Sequence, residues 1–398
     1  MAEVVIVSTA RSPIGRARKG SLVSMRPDDL AAQVISAALA DVPAAELTDL
    51  HLGCAEPQDE HGQNIARRVA VQLGHDSLPG TTVNRFCASS VQTARMAFHA
   101  IKAGEGHAFV SAGVECVSRY LHSGVPSFNP LFDEARQRTE HTAATNAAWT
   151  DPRLDGKLPD YYIAMGQTAE NVATQLGISR HEQDEFAVRS QNLAEKAIAD
   201  GFFAREITPV TLPDGSVVST DDGPRAGVTY EAVSALKPSF RPGGTVTPGN
   251  CCPLNDGAAA VVIMSDVRAR QLGLTPLARI VSTGVSGLSP EIMGLGPVEA
   301  TQQALAHAGM SISDIDLVEI NEAFAVQVLG SQRALGIDID RLNVHGGAIA
   351  LGHPFGSTGA RIMTTLINGM QARDAQFGLE TMCVGGGQGM AIVLERLS

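Results

Sequence analysis

The chain has 398 residues, of which 44% are hydrophobic and 18% charged, with a formal net charge of −12. This length exceeds one ordinary core and predicts two or three domains, and the composition excludes a disordered chain. The acidic balance and the lack of any Lys/Arg run exclude a nucleic-acid groove, though not a phosphorylated ligand held in a local basic pocket.

Residues 4–8 read as a strand. Asp28 and Asp29 open a helix to about Val42, where acids in the first turn suit the helix dipole. Residues 50–55 read as a strand, 63–73 as a helix stopped by Gly74, and 81–85 as a third strand. After Cys87, the residues Val91, Ala94, Phe98 and Ile101 recur at helical spacing until Gly104, and 108–114 form a buried strand. This alternation predicts parallel strands covered by helices. From 119 to 247 the pattern changes. Pro126, Pro130, Pro152 and Pro159 punctuate polar stretches, and one helix stands out, from about Arg180 to Asp200, with Ser179 as N-cap and Gly201 as stop. This segment reads as an insertion. Alternation then returns, with strands at 258–264 and 279–283 and a helix from Pro297 to Gly309. A strand at 317–320, helices at 323–335 and 357–370, and closing strands at 379–384 and 390–394 follow. The order of elements is that of the first third, so two similar halves are expected.

Six cysteines occupy positions 54, 87, 116, 251, 252 and 383 without a C-x-x-C spacing, which indicates reduced thiols rather than a zinc ribbon or redox pair. No metal site is expected. The chain lacks a signal-like leader, a C-terminal address and any apolar run of about 18 residues, so a cytoplasmic location without membrane insertion is expected.

Four segments carry chemistry. Cys87 falls between a predicted strand end and a predicted helix start, where unpaired N–H groups favour a thiolate; a buried core cysteine is the ordinary alternative. The run Gly346-Gly347-Ala348-Ile349-Ala350-Leu351-Gly352 has glycines at phosphate-loop spacing. It continues as His353-Pro354 instead of Lys-Ser/Thr, so the nucleotide reading fails and His353 is presented at a helix entrance. Cys383 ends a strand before Gly385-Gly386-Gly387, which makes either a tight hairpin or a nest of N–H donors facing an oxyanion. Asn321 at a strand end faces the ligand crevice of an open sheet or simply caps the next helix.

Read together, Cys87-Ala88-Ser89-Ser90, Gly166-Gln167-Thr168-Ala169-Glu170, Asn255-Asp256-Gly257-Ala258-Ala259-Ala260, Asn321-Glu322-Ala323-Phe324-Ala325, Gly346 to Pro354 and Cys383-Val384-Gly385-Gly386-Gly387 resemble the thiolase family, in family order and over nearly the whole chain. The resemblance implies an α/β fold of two similar βαβαβαββ halves in a five-layer αβαβα core with an inserted loop domain. The halves would be 1–118 with 248–270, and 271–398, with the insertion at 119–247. It implies CoA-dependent thiolytic cleavage of 3-ketoacyl-CoA to acetyl-CoA and a shortened acyl-CoA, a reversible Claisen condensation. Coenzyme A would be a co-substrate rather than a resident cofactor, and the protein a homodimer or homotetramer.

By the same resemblance, His353 would deprotonate Cys87, which takes the acyl group as a thioester, and should lie within about 3 Å of it. Cys383 would protonate the departing acetyl-CoA carbanion. His353 and a water held by Asn321 would stabilise the enolate, and the N–H groups of Cys87 and Gly385 the thioester oxyanion. Arg225 and Arg241 are the candidates for the CoA phosphates, and Phe240, Cys252, Met165, Met293, Ala323 and Phe324 for the pantetheine and acyl region.

The chain departs from the family pattern in three places. Cys251-Cys252 stands where many members have Ala-Ser, with that Ser touching the pantetheine arm. Ala164 stands where short-chain biosynthetic members often have His, which favours a degradative enzyme for longer or bulkier acyl groups over an acetoacetyl-CoA specialist. Residues 121–160 match little. A ketoacyl synthase would lack Cys383, and a non-catalytic acyl-CoA or sterol carrier would have lost a reactive residue, which this chain has not.

Overall fold

Long apolar runs without polar alternation can only sit between two covering layers. Every residue of Ala108–Cys116 and of Asn255–Ser265 is accordingly buried. The computed structural model describes residues 2–120 and 128–398; Pro126 lies outside them. The principal strands are Val4–Arg11 (β1), Asp49–Gly53 (β2), Gly80–Val83 (β3), Ala108–Cys116 (β4), Asn255–Ser265 (β5), Ala278–Gly287 (β6), Leu317–Ile320 (β7), Phe377–Val384 (β8) and Gln388–Arg396 (β9). They form one sheet in the order β7-β8-β9-β6-β1-β5-β4-β2-β3, with the short strand Gly15–Arg16 pairing beside β5.

The sheet has a seam. β1 and β6 meet antiparallel through only Val5 with Arg279 and Ile6 with Ala278. Outward from the seam, each side runs antiparallel, antiparallel, then parallel: β1-β5-β4-β2 on one side, β6-β9-β8-β7 on the other. On the first side β3 adds a parallel edge strand; on the second, Leu342 makes a single parallel bridge to Val318. The two halves therefore share one strand order about a two-fold seam.

The longer helices are Pro27–Ala38 (α1), Ile65–Gln72 (α2), Ser89–Ala103 (α3), Asp133–Thr145 (α4), Met165–Leu176 (α5), Arg180–Ala199 (α6), Gly296–Ala308 (α7), Ala325–Leu335 (α8) and Thr358–Arg373 (α9). Side chains alternate across each strand. On β5, Val262 and Met264 pack with Leu30 and Val34 of α1 and Ile65 and Val69 of α2. Val261 and Ile263 point the other way, into a cluster with Val91 of α3 and Ile362 and Leu366 of α9, which also holds Met390 and Ile392 of β9. Beyond the second half-sheet, Leu379 and Val393 pack with Ala300 of α7 and Val328 of α8. The layers are thus α1/α2, sheet, α3/α9, sheet, α7/α8, the predicted five. Each fully buried Val, Leu or Ile stabilises this arrangement by roughly 1.5–3 kcal/mol.

Some boundaries shift for local reasons. Helix α2 starts at Ile65 because Gln63 and Asn64 hold left-handed φ angles of 54° and 51°. Helix α8 starts at Ala325 because Phe324 is extended and bridges Cys251. In the stretch predicted as an insertion, α4 and α5 join the expected α6; α4 buries only Ala135, so it leaves no apolar stripe to read. That stretch adds no strand to the large sheet among the described residues; Val210–Thr211 and Val217–Val218 pair with each other. No helix of the described residues is long and apolar enough to cross a membrane.

Candidate active site

Cys87 sits in a tight turn, Phe86–Ala88, that feeds directly into α3. The turn is bent sharply at Phe86, whose φ is 44°. A left-handed non-glycine residue costs about 1–2 kcal/mol and needs support from its surroundings. The support is polar. Phe86 N–H donates to Asn84 Oδ1 (2.8 Å) and Arg85 N–H to Ser89 Oγ (2.9 Å), whose hydroxyl donates back to Phe86 O (2.6 Å). The result leaves the Cys87 side chain half-buried at the start of α3.

The hairpin between β8 and β9 brings the second thiol. Its turn is Gly385–Gly387, with Gly386 and Gly387 at φ 74° and 80°, so glycine suits both. The backbone N–H of Gly385 lies near the Cys87 sulfur and favours its thiolate. Burial acts in the opposite direction and dominates, pushing the Cys87 thiol up to about 12. Cys383 is fully buried, and burial and then the neighbouring Cys87 hold its thiol well above the usual range. Cys252 is raised in the same way, by burial and then by Cys251, Cys87 and Cys383. Three thiols therefore share one environment, all neutral at physiological pH.

His353 is placed by backbone and ring contacts together. Its N–H donates to Asn255 Oδ1 (3.0 Å). The preceding Gly352 lies so close to Asn255 that a Cβ would come within 2.6 Å of that side chain. Ring Nδ1 is 2.7 Å from Thr358 Oγ1, and the Thr358 hydroxyl donates to Pro354 O (2.9 Å). With its proton so committed, Thr358 can only accept, so Nδ1 carries the hydrogen and Nε2 the lone pair. Asn321 Nδ2 donates to that Nε2 at 3.2 Å. Burial, aided by Arg361, lowers His353 to about 3, so the ring is neutral. Asn321 Oδ1 is buried without a partner among the described residues. The expected hydrogen bond between Cys87 and His353 is not formed among the described residues; Nε2 is occupied by Asn321. Apo catalytic contacts are often loose and tighten with substrate.

Behind the His353 loop, buried Glu115 accepts from the N–H groups of Gly356 (2.9 Å) and Ala55 (2.8 Å) and from Tyr120 (2.9 Å). Sequence reasoning missed Glu115, Asn255 and Thr358. Thr358 lies five residues after His353, a spacing that could have marked it as the ring's partner.

Two regions adjoin the thiols. A groove of about 330 Å³ runs past Arg16, Arg225, Leu236, Pro253 and Cys251. Exposed Arg225 marks its outer part, and the Cys251–Cys252 bend, anchored by Cys252 N–H to Ala323 O (3.1 Å), its inner part. Arg16 and Leu236 were not foreseen. Phe240 is partly exposed, lies 6.4 Å from Phe324 edge to face, and presses on Gly166 beside exposed Met165. Ala323, Phe324 and Met293 are buried in the outer core. Arg241 corrects the expectation for a phosphate contact. It is 3% exposed, with Nε on Gln167 Oε1 (2.6 Å) and Nη2 on Asn171 Oδ1 (2.5 Å), and it faces a separate small cavity with Trp149 and Glu291.

Residues 4–267 match the family described as "Thiolase, N-terminal domain", and residues 274–396 "Thiolase, C-terminal domain". The chain belongs to the thiolase family. It is 43% identical to a 3-ketoacyl-CoA thiolase of Bacillus subtilis, over 99% of this chain and 100% of that one. It is 44% identical to an acetyl-CoA acetyltransferase of Escherichia coli, over the full length of both. The crystal structure of the Bacillus anthracis acetyl-CoA acetyltransferase matches with a TM-score of 0.87 at 38% identity, covering 100% of this chain and 99% of that one. As a thiolase the protein is an acyltransferase that uses coenzyme A as co-substrate.

Proposed function

We propose that this thiolase cleaves 3-ketoacyl-CoA with coenzyme A by an acyl-cysteine mechanism. The observation that carries the reading is the buried His353, held by Thr358 at 2.7 Å and Asn321 at 3.2 Å with an Nε2 lone pair to take a proton, together with the mutually interacting thiols Cys87 and Cys383. The thiol of Cys87 gives its proton to His353 Nε2 as its sulfur adds to the C3 carbonyl. The resulting oxyanion accepts from the N–H groups of Cys87 and Gly385, each such donor being worth ~3 kcal/mol. The C2–C3 bond then breaks. The acyl group stays on Cys87 as a thioester, and the electron pair passes to the acetyl-CoA enolate. Cys383, a neutral thiol, donates its proton to that carbon. Asn321 Oδ1 accepts from a water that donates to the enolate oxygen. The thiol of free CoA then gives its proton to the Cys383 thiolate as its sulfur adds to the thioester, and Cys87 leaves as a thiolate that recovers its proton from His353.

The raised thiol of Cys87 and the neutral His353 fit this order, because the thiolate then forms only as it attacks. The groove from Arg225 to Cys251 fits the phosphates and pantetheine arm of CoA. Ala164, an exposed methyl at the N-cap of α5, offers no polar group at the acyl end, which fits a degradative enzyme for longer acyl groups. The reading also takes the domains as 1–118 with 248–270, 119–247 and 271–398, and the protein as a cytoplasmic homo-oligomer. Loss of 3-ketooctanoyl-CoA absorbance on adding CoA tests the activity. Binding of 3-ketoacyl-CoA without turnover would overturn it in favour of a carrier.

A further inference from the structure

An aromatic shelf stands at the mouth of the site, and the reaction itself does not use it. The ring of Tyr161 lies against Gly386, so that a Cβ on Gly386 would come within 3.1 Å of it. Gly386 follows Gly385, whose N–H lies near the Cys87 sulfur. The ring therefore stands one residue beyond the proposed oxyanion donor. Tyr161 is 43% exposed, so its ring faces the opening rather than the core.

The backbone beneath it is firmly held. Asp160 N–H donates to Glu291 Oε1 (2.8 Å), and Tyr162 N–H to Asp160 Oδ1 (2.9 Å). Glu291 also holds Trp149 Nε1 at 2.7 Å. Tyr162 and Phe132 back the Tyr161 ring at 5.4 and 6.1 Å between centroids. A rigid, half-exposed aromatic wall beside a reacting centre is the lining expected of an apolar ligand subsite.

We infer that Tyr161 is the specificity-determining residue for the acyl group, selecting an apolar chain longer than that of acetoacetyl-CoA. This rests on the thiolase reading of the same site. An acyl carbon on Cys87 with its oxygen at Gly385 N–H would direct its chain past Gly386, where the Tyr161 ring forms a wall. The arginines of this region are already engaged. Arg138 pairs with Glu291 (3.0 Å), and Arg136 pairs with Asp133 (3.4 Å) and lies over Phe128 (4.1 Å). The shelf thus favours an apolar chain end over a carboxylate.

The test is kcat/KM for acetoacetyl-CoA, 3-ketooctanoyl-CoA and 3-ketoadipyl-CoA with the unaltered protein, Tyr161→Ala and Tyr161→Phe. The unaltered protein should prefer the octanoyl substrate to the other two. The octanoyl-to-acetoacetyl ratio should fall about tenfold in Tyr161→Ala and stay within about threefold in Tyr161→Phe. A ratio does not depend on the fraction of folded enzyme, so poor folding cannot imitate the result. An unchanged ratio in Tyr161→Ala, or a preference for the adipyl substrate, overturns the assignment while leaving the thiolase reading intact. Absence of turnover on all three substrates overturns that reading itself.

Discussion

Replacing Thr358 with Val keeps the shape of the side chain and removes only the hydroxyl that receives the His353 Nδ1 proton at 2.7 Å. The ring then loses on both sides. Kept in its present tautomer, it buries an Nδ1–H with no acceptor, which costs about 1–3 kcal/mol. Turned to the other tautomer, it points an N–H at the Asn321 amide that now donates to Nε2 at 3.2 Å. Either way the lone pair needed to accept the Cys87 proton is less available. A loss of about 1–3 kcal/mol in the transition state corresponds to roughly 5- to 150-fold in rate. The assay is the rate at which acetyl-CoA acylates Cys87, followed by rapid quench and intact-protein mass, across a pH series. Thr358→Val should acylate in that range more slowly, with an altered pH profile, and Thr358→Ser should recover most of the rate. A Thr358→Val enzyme acylating within twofold of the unaltered rate would refute the assignment of the Nδ1 proton and of Thr358 as a positioning residue.

Cys87→Ala should take up no covalent label from radiolabelled acetyl-CoA; label retained on that variant would reject Cys87 as the acyl carrier. Arg225→Ala should raise KM for CoA about tenfold, as expected for one charge-assisted contact of roughly 1.5 kcal/mol, and leave thermal stability within error. Arg241→Ala should instead lower the Tm, since it removes the donor to the side-chain oxygens of Gln167 and Asn171; the reverse pattern for the two arginines would return Arg241 to the CoA site. His61, lowered to about 4 mainly by burial, accepts from Cys116 N–H at 2.9 Å. Its folded value lies below the unfolded 6.5, so its contribution is full above pH 6.5 and is lost as pH falls towards 4. Relative to the unaltered protein, His61→Gln should flatten urea stability over that window by about 1.4 kcal/mol per pH unit, and parallel pH curves would contradict this.

The turns that carry the proposed chemical positions were legible because they depend on local backbone. Cys87, His353 and Cys383 each stand at a turn that glycine or small residues permit, and a turn is written in a few consecutive residues. The alternating elements were legible for the same reason, since β4 and β5 are unbroken apolar runs. What escaped depends on contacts between remote segments. Glu115 reads as a polar residue at a strand end until Gly356 folds over it, and Asn255 as a strand start until His353 arrives. Arg241 and Arg225 are both arginines among prolines and glycines; only tertiary packing buries one and exposes the other. Helix α4 escaped for want of an apolar face, and the β1–β6 seam because it joins residues 5–6 to 278–279.

The two-half architecture also fixes an order of events during synthesis. Cys87 leaves the ribosome long before Gly385, and even its own half-sheet waits for β5 at Asn255–Ser265. Until then the thiol has neither the burial that raises it to about 12 nor the β8–β9 hairpin beside it. The nascent protein therefore carries its nucleophile as an ordinary, oxidisable cysteine. The reactive group is sheltered only once the β8–β9 hairpin is in place, which is made long after Cys87 itself.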